Sequence, residues 1–120
     1  MPRELSSAER SMLEAVILRA DADGPVTNED RARWLQDAQT MLVGAGCGCG
    51  CCPSIELLAA DGAAIEGDGR IVLSASITDG RGGTAAIVLL FVDSDRPSYL
   101  ELAPVDDEAW AEFPAPASLV

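Results

Sequence analysis

Neither histidine nor lysine occurs anywhere in the chain. Without histidine the sequence lacks the commonest general base and the commonest metal ligand together, so most hydrolase and nuclease mechanisms lose their simplest candidate. Without lysine every basic side chain is arginine, and eight of them face twenty acidic residues, for a net charge of −12. That balance disfavours direct contact with nucleic-acid phosphate. No apolar run approaches the roughly 20 residues of a membrane-spanning helix. The N-terminal stretch MPRELSSAERSMLEAVILRA intersperses Glu4, Glu9, Arg10 and Glu14 among its apolar residues, unlike the uninterrupted core of a secretory signal. A cytoplasmic protein is expected, with no membrane or nucleic-acid partner. Its cysteines should then be thiols or metal thiolates in preference to structural disulfides.

The sequence contains no internal repeat and no low-complexity linker, and its 120 residues suffice for one domain with a real core. Ser6 and Glu9 have capping-box spacing, and Leu5, Met12, Leu13, Val16 and Ile17 recur near helical period. A helix from Ser6 to about Ala20 follows. The polar, Gly- and Pro-containing DADGPV reads as a turn, and Thr27 with Asp30 begins a second helix ending near Met41. Its apolar side is Ala32, Trp34, Leu35, Ala38, Met41 and Leu42.

From Ile55 the period changes to two. Ile55, Leu57 and Ala59 alternate with their neighbours, as do Ile71, Leu73, Ala75 and Ile77. TDGRGGT is a glycine-rich turn into AAIVLLFV, whose nearly continuous apolar character predicts a central strand with both faces covered. DSDRP turns the chain into SYLEL. Short turns join antiparallel strands, so the expected fold is α+β: two N-terminal helices on an antiparallel sheet of about four to five strands. Residues 1–120 form one domain, with 106–120 a C-terminal arm.

All four cysteines, Cys47, Cys49, Cys51 and Cys52, lie within six consecutive positions of VGAGCGCGCCPSIEL. One reading is a strand: Gly44, Gly46, Gly48 and Gly50 face one side and admit a close neighbour, while the cysteines serve as small buried apolar residues on the other. A second reading is zinc, since four thiolates complete a tetrahedral shell. Same-side strand residues are about 6.6 Å apart, whereas sulfurs around one zinc must sit about 3.8 Å apart, so the backbone would have to coil. Alternatively, two chains could share the metal in a homodimer. A redox role is disfavoured, because a Cys51–Cys52 bridge would be strained and no C-x-x-C spacing exists. A thiol enzyme would need a carboxylate base such as Glu56 or Asp61.

The LSSAER helix start, the CGCGCCPSIEL centre, and the IVLLFVD and YLEL strands with an acidic, proline-containing end together make the chain resemble a family of small, functionally uncharacterised actinobacterial proteins. This resemblance implies a compact α+β domain and supplies no catalytic residue.

DADGPVTNED lacks the residue order of a calcium loop, and GDGR and DGRGG lack the lysine and serine of a phosphate loop. Both glycine-rich stretches read as hairpin turns. The C-terminal segment is more informative. After Pro97 there is no basic residue, and Asp106, Asp107, Glu108 and Glu112 surround Trp110 and Phe113. These aromatics either dock on their own domain or, with Asp106, Asp107 and Glu108, form an acidic patch for a basic protein surface. The expectation is a small acidic non-enzymatic interaction or regulatory protein with no cofactor; the alternative is a zinc-binding domain using Cys47, Cys49, Cys51 and Cys52.

Overall fold

Ser6 and Thr27 start the two helices as their spacing predicts. The Ser6 hydroxyl accepts from the Glu9 amide at 3.2 Å, and the Glu9 carboxylate accepts from the Ser6 amide at 2.8 Å. Thr27 and Asp30 form the same reciprocal pair at 3.1 and 3.0 Å. Each pair satisfies amides that the first helical turn leaves without partners. Helix α1 spans Ser7–Arg19 and helix α2 spans Asn28–Ala38. Helix α2 stops short of the expected Met41 because its end tightens: the Gln39 amide bonds to the Gln36 carbonyl and the Thr40 amide to that of Asp37. Met41 is then buried as the chain turns into the sheet.

The computed structural model describes residues 2–46, 52–106 and 108–119. Among the described residues seven strands form one wholly antiparallel sheet: β1 Arg3–Glu4, β2 Asp21–Ala22, β3 Leu42–Gly46, β4 Ile55–Leu58, β5 Ile71–Thr78, β6 Thr84–Asp93 and β7 Arg96–Pro104. Their order is β1-β3-β4-β7-β6-β5-β2. The expected four to five strands become seven because β1 and β2, two residues each, flank the helices and are too short to show alternation. They pair with β3 and β5 as the outermost strands, and short edge strands limit the open edge presented to other chains.

Register explains the core. Ile71, Leu73, Ala75 and Ile77 pair with Val92, Leu90, Val88 and Ala86, and Leu90 and Val88 pair in turn with Leu100 and Leu102. Ile55 pairs with Leu100, and Leu57 with Val43. These side chains share one face and bury Met12, Leu13, Val16 and Ile17 of α1 and Trp34 and Ala38 of α2 in one cluster.

The opposite face departs from expectation. Strand β6 is central, but its Ile87 remains 40% exposed and Leu89 and Phe91 are only half-buried, so the helices cover one face alone. Cross-strand neighbours shield the rest. The Arg70 guanidinium sits 4.8 Å from the Phe91 ring centroid, and the Phe91 and Tyr99 centroids are 6.2 Å apart. Among the described residues no helix is long and apolar enough to cross a membrane.

Candidate functional site

Cys47, Cys49 and Cys51 lie outside the described residues, as does Asp107. Strand β3 carries the chain to Gly46, and its register partner Ile55 opens β4, so the eight intervening residues start and end on neighbouring strands. At the far end of that connection Cys52 is half-buried, its thiol 3.4 Å from the Ser54 hydroxyl. Ser54 is buried and its oxygen accepts the Leu102 amide at 2.9 Å, which anchors the segment to β7. Among the described residues no group of three or more Cys, Asp or Glu side chains is arranged to hold a metal ion. Within the domain the close neighbour of Gly44 is the Glu56 side chain, which crosses the glycine and accepts the Ala45 amide at 3.2 Å. Asp61 likewise bonds a backbone amide, that of Ala63, at 3.0 Å. Both carboxylates raised as bases for a thiol enzyme therefore hold local backbone.

The Cys52 end and the C-terminal arm meet. A cavity of about 400 Å³ is lined by Cys52, Pro53 and Ser54, by Arg3 and Glu9, and by Ala111, Glu112 and Phe113 of the arm. Arg3 grips Glu9 through two parallel bonds of 2.8 Å each. With the Ser6 amide added, these bonds hold the Glu9 carboxyl below its ordinary range, the Arg3 hydrogen bond being the chief cause. The ion pair is internally neutral, which leaves Glu112 as the unpaired charge among the described residues of the cavity lining.

The arm itself is fastened. Phe113 is 2% exposed and belongs to the core cluster. Its ring packs into the domain's own core, the docking alternative raised for these aromatics. Arg19 donates to the Pro116 carbonyl at 3.1 Å, and Leu119 bridges to Ile77 on the edge of β5.

Trp110 behaves differently. It is half-buried against the core and lines a groove of about 440 Å³ with Glu108, Ala109, Ala111 and Glu112 of the arm and Thr78, Asp79 and Ala85 of the β5–β6 hairpin. Its indole N–H is buried and has no acceptor among the described residues. Asp106 is exposed nearby in sequence and accepts the Glu108 amide at 2.9 Å. Sequence reasoning picked out Trp110 and Glu108 but not the hairpin wall. TDGRGGT has the signature of a turn, and Asp79 does hold that turn, its carboxylate accepting the Arg81 and Gly83 amides at 2.7 and 3.1 Å.

Among the described residues only Glu9, Asp30, Asp93 and Asp95 form ion pairs, so the groove shares its unneutralised acids with most of the surface. Arg3, Arg33 and Arg70 pair with Glu9, with Asp30 and Asp95, and with Asp93. Arg10, Arg19 and Arg31 donate to backbone carbonyls of Ala38, of Pro116, and of Ile17 and Ala20. Six of the eight arginines are thus engaged within the domain. Among the described residues no ion pair neutralises Asp79, Asp106, Glu108 or Glu112. Comparison with protein-family models, curated proteins and solved structures gives no match to this chain.

Proposed function

We propose that this is a small acidic, non-enzymatic interaction or regulatory protein that works by engaging a basic surface on a protein partner. The observation that carries the reading is the division of charge. Six of the eight arginines are engaged by the domain's own carbonyls and carboxylates, while Asp106, Glu108 and Glu112 stay exposed, the last two lining a groove with a half-buried tryptophan. Uncompensated charge of one sign steers encounter, and an aromatic side chain at its centre supplies an anchor. Phe113 contributes by fixing the arm beneath this surface, not by touching the partner.

The test is capture from a cell lysate on the immobilised protein, compared with the triple variant D106N/E108Q/E112Q. Basic proteins retained at low salt by the native chain and lost with the variant support the reading. Identical retention by both would sink it.

A zinc-binding domain using Cys47, Cys49, Cys51 and Cys52 is the second reading. The pairing of Gly46 with Ile55 favours it, since that pairing brings together the ends of the segment containing all four thiols.

A further inference from the structure

We infer that the groove beside Trp110 is a docking site for an arginine side chain presented by the partner protein. This rests on the acidic-surface reading and narrows it to one chemistry. The groove joins three features that a guanidinium uses at once. Trp110 supplies an aromatic wall, on which a planar, weakly hydrated cation stacks. Asp79, Glu108 and Glu112 supply carboxylates from both sides, two elements far apart in sequence, so the charge surrounds the groove instead of lying along one strand. Apolar surface flanks it. Ala85 shares its sheet face with Ile87, and the Val105 amide bonds to the Ala85 carbonyl at 3.0 Å. Ile87 and Val105, 40% and 62% exposed, are two of the three large apolar residues left open to solvent among the described residues.

Charge complementarity selects the occupant. A hydrophobic peptide would bury the Glu108 and Glu112 carboxylates without compensation, which is costly. An acidic ligand would be repelled. Lysine would satisfy the charge but presents a compact, strongly hydrated ammonium with no planar face to lay on the indole. Arg81, on the same hairpin, makes no ion pair with the groove's carboxylates among the described residues. The domain's own cation therefore leaves the groove to an incoming one.

The two tryptophans make the test direct. In a ¹⁵N-labelled sample each indole N–H gives its own signal. Trp34, fully buried and bonded to Asp95, is the internal control. Titration with N-acetyl-arginine methylamide should move the Trp110 signal saturably and leave that of Trp34 in place. The neutral citrulline analogue should move neither. A hexa-arginine peptide should bind by calorimetry, more weakly as salt rises, and E108Q/E112Q should weaken it about fivefold. Both substitutions are at exposed positions, so folding is preserved. If hexa-arginine binds with salt sensitivity while the Trp110 signal stays still, the groove is not the site; the inference falls and the broader acidic-surface reading survives. If hexalysine binds equally well and shifts Trp110 equally, the guanidinium is not what is recognised and the inference also falls. If neither peptide binds, both readings fall together.

Discussion

The indole N–H of Trp34 is shared between the backbone carbonyl and the carboxylate of Asp95, each 3.1 Å away, so the largest buried side chain of α2 is tied to the turn between β6 and β7. That turn places Ser94 and Asp95 at φ of 50° and 64°, the paired left-handed conformation of a two-residue hairpin. Asp95 also receives Arg33 at 2.7 Å. Asp95→Ala should cost about 1–3 kcal/mol, since it removes the side-chain acceptor and puts an alanine at positive φ. Asp95→Asn keeps an acceptor, tolerates the conformation and should cost much less. Urea denaturation of both variants decides the matter: equal losses would mean that the ion pair with Arg33, not the Trp34 bond, is what the turn contributes.

Acid should destabilise the fold through a small set of carboxylates. Arg70 forks onto Asp93 at 2.9 and 3.1 Å, and the Ser98 hydroxyl lies 2.6 Å from the same carboxylate. The Arg70 hydrogen bond is the chief reason the Asp93 carboxyl is held below its ordinary value of 3.8. Arg3 does the same for Glu9, whose ordinary value is 4.5. A folded-state value below the unfolded one contributes stability that is complete above the ordinary value and is lost as pH falls through the depressed one. Stability attributable to these groups should therefore hold from neutrality down to about pH 5 and fall below about pH 4. Arg70→Gln should be less stable than the native chain at pH 6, with the gap closing as acid protonates Asp93. A gap that stays constant down to pH 2 would assign Arg70 a packing role on Phe91 instead.

Much of the fold was legible because its signals are local. Ser6 with Glu9 and Thr27 with Asp30 mark both helix starts within four residues, and the alternation of Ile71 to Ile77 marks a strand without reference to its partner. What escaped depends on distant pairing. Arg3–Glu4 becomes a strand only because Leu42 and Val43 lie beside it. The run AAIVLLFV could not reveal that one of its faces is shielded sideways, by Arg70 and Tyr99, instead of by a second layer. The site divides the same way. Trp110 stood out as an aromatic among acids, but Asp79 and Ala85 reach it from another hairpin, and the burial of Phe113 follows from tertiary packing alone.

The arm should prove structural at Phe113 and dispensable for folding at its acids. Phe113→Ala empties a ring from the core and should cost about 3–5 kcal/mol. Glu108→Gln at an exposed position should change stability by no more than about 0.5 kcal/mol. Thermal denaturation separates the two. A small loss for Phe113→Ala would mean that the arm detaches without cost, and the ring would return to consideration as a partner contact.

The cysteine segment turns on one mass. Gly46 and Ile55 pair across β3 and β4, so the sheet itself brings the ends of the intervening segment together. The strands need no staple there: Ser54 already fastens the start of β4 to Leu102. The expected native mass is therefore that of the metal-free polypeptide, with four thiols titratable after denaturation and a melting temperature indifferent to chelator. One zinc per chain, lost on chelation together with several degrees of melting temperature, would reverse this, because metal that binds only the folded state adds its binding free energy to stability. One zinc per two chains would place the thiols at a homodimer contact. Substituting Cys47 and Cys49 by alanine then separates the cases: it should abolish metal and stability together where zinc is bound, and cost little stability with no metal to lose where the cysteines act as small apolar side chains.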